Sequence, residues 1–210
     1  MSSTNTRLSI AVETAALLWF YMFSPWTGSL SNFWLNMSIS AVILSSLAIA
    51  WSGNKAGILA AGNVAVQMAL GIAIAFALWG IFWIGDALSG LLFPFARAQV
   101  DSVYAMKDGS NPVLIALLLL FLIGPAEEFF WRAYVQKTLS AQIGGNAALV
   151  ATTLVYALVH IWSFNFMLIM AAFVAGAVWG MIYRFRPSLL PAVVISHAVW
   201  DALVFVILPI

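Results

Sequence analysis

A chain of 210 residues that is 64% hydrophobic and 7% charged, with a mean hydropathy of +1.05, has too little polar surface to cover a water-soluble globule. The composition places it in a membrane. The net charge of +1, with no basic stripe, gives no sign of nucleic acid as a partner, and zero cysteines exclude a disulfide framework, a thiolate nucleophile and cysteine-based metal sites.

A window of about 20 residues for a spanning helix picks out seven apolar segments in chain order: residues 8–24, 34–51, 59–86, 113–138, 147–163, 165–183 and 189–209. The stretches between them hold most of the turn formers and charges: SPWTGSLSN (24–32), SGNKAG (52–57), RAQVDSVYAMKDGSNP (97–112), SAQIGGN (140–146) and RFRPS (184–188). The first segment carries Glu13 and has no small-residue cleavage site after it, so it is expected to stay as a helix rather than leave as a signal peptide. The expected fold is an all-α polytopic transmembrane helix bundle of about seven spans. It forms one integral membrane domain over 1–210, with three N-terminal spans and a loop in 1–112 and the motif-bearing core spans in 113–210. Placing the N-terminus in the cytoplasm puts Arg7, Lys55, Lys137, Arg184 and Arg186 inside, against Arg97 and Lys107 outside, which favours that orientation.

Polar residues within the spans are costly in hydrocarbon and should face the bundle interior and one another. Glu127, Glu128, Arg132, His160, His197 and Asp201 form the main set, with Glu13 and Asp86 as outliers left as structural or interfacial. With a rise of about 1.5 Å per residue, the glutamates lie ~15 Å from the presumed cytoplasmic end of their helix, His160 ~21 Å, His197 ~12 Å and Asp201 ~18 Å. In a hydrocarbon core about 30 Å thick, all fall near the middle. Residues four apart share a helix face, which pairs Glu128 with Arg132, Tyr156 with His160, and His197 with Asp201. Glu127 is rotated by about 100° from Glu128 and is free to point elsewhere. One carboxylate neutralised by an arginine and one left to act is the division a general-base site needs. Gly124 and Pro125 are expected to open the helix just ahead of them.

EEFFWR (127–132), YALVH (156–160) and HAVWD (197–201) resemble, in order, the three motifs of the CPBP family of CAAX-protease and bacteriocin-processing (Abi-like) membrane proteins: E-E-x-x-x-R, F-x-x-x-H and H-x-x-x-N or D. The similarity covers the C-terminal half, 113–208, and Tyr156 stands where the family often has Phe. The resemblance implies an intramembrane glutamate-type endopeptidase. Glu127 and His160 would activate water, Glu128 and Arg132 would brace the site, and His197 with its partner would stabilise the oxyanion. Asp201 stands where well-understood members carry Asn, and an ionised carboxylate cannot donate to an oxyanion. The preferred reading is that Asp201 orients and charges His197, which then donates alone; the alternative is a protonated Asp201.

Plainer readings stand beside these. Glu128 and Arg132 also fit a structural ion pair, and each histidine a packing residue. Tyr156 and the ten tryptophans read as packing and interfacial belt. Ala172, Gly176 and Gly180 form a small-residue stripe for helix packing, with a dimer face as its functional alternative. There is no H-E-x-x-H helix, Ser163 and Ser196 stand in no nucleophile motif, and the WIGD stretch (83–86) lacks the first glycine of an aspartyl intramembrane protease. No cofactor is expected. Zinc held by the two histidines and the carboxylates is the alternative, opposed by the arginine. The expected partners are the bilayer and a membrane-associated or lipidated peptide, and the expected location is a multi-pass membrane protein, in the plasma membrane if the host is a prokaryote. A scaffold, a bacteriocin self-immunity protein or a proton path is the rival to catalysis.

Overall fold

Asparagine side chains start four of the helices. In so apolar a chain the first backbone N–H groups of a helix find few acceptors, and the side chains of Asn32, Asn63, Asn111 and Asn165 accept from Leu35, Ala65, Val113 and Leu168 respectively. The computed structural model describes residues 3–52 and 62–210, which are helical without a β-strand. Lys55 and Gly57 of the second turn, and residues 59–61 at the start of the third segment, lie outside the described residues.

The helices are α1 (Ser3–Phe23), α2 (Phe33–Trp51), α3 (Val64–Leu92), α4 (Ala96–Tyr104), α5 (Pro112–Ile143), α6 (Gly145–Ser163), α7 (Phe166–Phe185) and α8 (Pro187–Ile207). A helix lies on each of the seven predicted segments, and six of the described helices are long and apolar enough to cross a membrane. The exception is α1, which is long enough but carries Arg7 and Glu13 within its 21 residues. The protein is an integral membrane protein. The eighth helix, α4, is a short amphipathic element within the stretch that reads as a loop.

Burial ranks the helices. In the most apolar window of each, 61% of α8 is buried inside the bundle but 22% of α3, so α8 is central and α3 turns most of its surface to lipid. Gln67 pins the two together, donating to the Ser188 carbonyl and accepting from the backbone N–H of Ala192 at the start of α8. One apolar cluster joins α1, α2, α5 and α6 through Trp19, Leu44, Phe130 and Val159; a second joins α3, α7 and α8 through Leu78, Trp179, Val193 and Leu203. The polar residues of the core lie where α5 and α8 bring these clusters together.

Gly124 and Pro125 do not open α5, as the sequence leads one to expect. The helix continues through them, flanked by wide π-helical turns at Leu119–Ile123 and Phe129–Gln136, and a widened turn absorbs the missing N–H of proline. Gly124 instead permits contact: a Cβ there would lie 2.7 Å from the Cα of Ala198 on α8. The small-residue stripe is likewise taken up within the chain. Added Cβ atoms at Gly176 and Gly180 would each come within 2.8 Å of α6, at Tyr156 and Leu149 respectively, so this face is not free for a second copy.

α6 ends in a tight 3₁₀ turn, Val159–Ser163, closed by Phe164 in the left-handed region at φ 49°. α4 holds this corner. The Asn165 side chain donates to the Gln99 carbonyl and to Ser102 Oγ, and the Met167 N–H donates to Gln99 Oε1, at 2.8 to 3.0 Å. His160 sits in that turn.

Candidate active site

α5, α6 and α8 bring the six predicted site residues into two adjoining networks. The first contains Glu127. Its Oε2 accepts a hydrogen bond from the Tyr156 hydroxyl at 2.9 Å, while Oε1 has no hydrogen-bond partner among the described residues. Tyr156 is thus more than the packing residue its place in the sequence suggests. Its backbone carbonyl also accepts from Nδ1 of His160, at 2.9 Å. The other nitrogen of His160, Nε2, accepts from the indole N–H of Trp19 on α1 at 3.0 Å.

The second network is ionic. Glu128 is fully buried, and its Oε1 meets both Nη1 of Arg132 at 3.1 Å and Nδ1 of His197 at 2.7 Å; its Oε2 has no partner among the described residues. Arg132 also donates from Nη2 to the Gly176 carbonyl at 3.0 Å and lies over the rings of Tyr156 and Trp179. One turn further along α5, Gln136 repeats the contact with the Gly180 carbonyl at 2.9 Å. The i,i+4 pair predicted for α8 is present but loose, with Nε2 of His197 3.4 Å from Oδ2 of Asp201. The His197 ring stacks on Trp179 at 3.9 Å between centroids, and Trp179 is itself anchored by its N–H to Ser196 Oγ.

A cavity of about 490 Å³ lies against these networks. Its wall is largely apolar, built from residues such as Phe33, Phe82, Leu92 and Met170, and Glu127, Tyr156, His160, His197 and Asp201 reach it. Glu128 and Arg132 do not. The helix rotation that separates Glu127 from Glu128 therefore puts one carboxylate on the cavity wall and leaves the other behind it, against arginine and histidine.

The remaining candidates lie elsewhere. Glu13 is exposed on α1, and Asp86 on α3 is 3.6 Å from Arg97. Ser163 donates to the His160 carbonyl, and Ser196 accepts from Trp179; neither meets a histidine nitrogen. Among the described residues no three His, Asp or Glu side chains are grouped to hold a metal ion. Trp19, Trp179 and the Glu128–His197 contact were not evident from sequence, because their partners lie on other helices.

The family model that fits this arrangement is described as Type II CAAX prenyl endopeptidase Rce1-like, and it matches residues 109–203. That stretch is similar to the family. The Rce1-like stretch runs from just before α5 into α8 and holds every residue of both networks except Trp19. The family is one of proteases, which agrees with the resemblance carried by the three motifs. No curated protein and no solved structure matches the chain.

Proposed function

We propose that the protein is an intramembrane endopeptidase in which Glu127 is the general base. The observation that carries this reading is the division of labour within its carboxylate: Oε2 is held by Tyr156, Oε1 has no hydrogen-bond partner among the described residues, and Glu127 lines the cavity. A water between Glu127 and His160 gives its proton to Oε1 as its oxygen attacks the peptide carbonyl carbon. The charge that develops on the carbonyl oxygen is met by an N–H of His197, with the loose 3.4 Å contact to Asp201 leaving Nε2 able to turn toward it. The proton then passes from Glu127 to the leaving nitrogen as the C–N bond breaks. Glu128 and Arg132 hold His197 in place from behind the wall.

The apolar wall favours a membrane-inserted or lipidated peptide, and the family description makes a prenylated C-terminal peptide the first to try. The reaction is proposed to need no metal, because Arg132 shares the site with the carboxylates. The N-terminus is proposed to face the cytoplasm, on the side of Arg7, Lys137, Arg184 and Arg186.

The test is cleavage of an internally quenched, farnesylated C-a-a-X peptide by purified protein in lipid nanodiscs. Glu127→Gln and His160→Ala should each lower kcat by roughly 10² to 10⁴-fold, the range of general acid–base catalysis, and wild-type rates from both would end the peptidase reading in favour of a non-catalytic membrane role. Incubation with EDTA and dialysis should leave the rate unchanged, and a loss restored by added zinc would overturn the metal-free mechanism.

A further inference from the structure

The contact between Trp19 and His160 joins residues 141 positions apart and ties α1 to a site otherwise built from the C-terminal half. An indole N–H can only donate and a backbone carbonyl can only accept. His160 therefore has its proton on Nδ1, facing the Tyr156 carbonyl, and its lone pair on Nε2, facing Trp19. The indole that makes this contact is buried, 1% exposed, and meets the imidazole edge-on at 84°. One turn further on, Phe23 packs against the same imidazole, with ring centroids 5.4 Å apart. Two residues of α1 thus grip a ring whose own helix has already narrowed to a 3₁₀ turn.

We infer that Trp19 is a positioning residue of the active site: its indole N–H holds the Nε2 lone pair of His160 and, with the Tyr156 carbonyl, fixes the ring as the Nδ1–H tautomer. The polarity of the contact explains its use. A water entering beside Glu127 would donate an O–H to the same nitrogen, so it can take the place of the indole without any proton moving on the ring. The site waits with its acceptor already in the form that water needs. α1 is then part of the active site although it lies outside the matched stretch, and the role for water rests on the peptidase reading while the tautomer does not.

The chain has two histidines, so the ¹⁵N spectrum of histidine-labelled protein in nanodiscs contains two rings, and His160→Phe assigns them. The ring of His160 is expected to show a protonated Nδ1 and a hydrogen-bonded, unprotonated Nε2. Trp19→Phe should move that Nε2 signal toward the position of an unbonded imine nitrogen and leave the His197 ring in place. On the quenched peptide it should lower kcat about tenfold, the loss of one hydrogen bond, with KM changed by less than about twofold. An Nε2–H tautomer in the wild type, an unmoved Nε2 signal in Trp19→Phe, or a rise in kcat would each overturn the inference. If Trp19→Phe does not fold, the wild-type spectrum decides alone. If the wild type cleaves no peptide, the peptidase reading fails and the nitrogen signals still judge the tautomer.

Discussion

The ring of His160 lies between an indole N–H and a backbone carbonyl, whereas the ring of His197 lies between the carboxylates of Glu128 and Asp201. The first environment supplies one donor and one acceptor, which a neutral imidazole satisfies. The second supplies two acceptors, which call for an N–H on each nitrogen. Each histidine is prepared for a different part of the proposed reaction: His160 offers a lone pair toward the water, and His197 offers a donor toward the oxyanion. The comparison also divides the glutamates. Glu127 belongs with the neutral network and keeps one oxygen without a hydrogen-bond partner among the described residues; Glu128 belongs with the ionic one and is fully enclosed.

The sharpest way to break this contrast is to remove each ring in turn and measure thermal unfolding of the purified protein. His197→Ala strips a 2.7 Å partner from a buried carboxylate and should cost about 3 to 5 kcal/mol. His160→Ala breaks neutral hydrogen bonds and should cost only about 1 to 2 kcal/mol, and equal losses would erase the distinction. Tyr156→Phe is finer. It removes the O–H that holds Glu127 Oε2 while keeping the carbonyl that holds His160, so kcat should fall about tenfold with little change in unfolding temperature. Wild-type kcat would show that Glu127 needs no such hold. The smallest effect is expected from Asp201→Asn, because a 3.4 Å contact is weak. Peptide turnover should stay within about threefold of wild type, and a collapse of kcat would make Asp201, rather than Glu128, the main partner of His197.

What could be read from the sequence follows from helix geometry. Glu128 with Arg132 and His197 with Asp201 are pairs within single helices, so their spacing settles which face they share before any tertiary contact is known. The apolar segments gave the helices for a similar reason: each is long enough, and sufficiently free of charge, to need hydrocarbon around it. α4 was hidden because its mixed sequence resembles a loop until Gln99 and Ser102 are seen holding the corner after His160. Contacts between helices depend on rotation and register, which local spacing does not contain. Trp19 therefore looked like one more belt tryptophan and Tyr156 like a packing ring, while the glycines of α7 read as helix packing without showing that α6 is the helix they pack on.

The wide turn at Leu119–Ile123 carries a further consequence. A π-helical turn holds about one residue more than the α-helical turn it replaces. Deleting a single leucine there would let the turn close to an ordinary α-helical one, leaving α5 apolar and helical with the residues ahead of it on the same faces relative to the glutamates. Ile115 would stay buried, and Glu127 and Glu128 would stay in register with α8. This stretch should therefore accept the loss of one residue, whereas the same deletion in an α-helical part of the chain would turn everything ahead of it by about 100°.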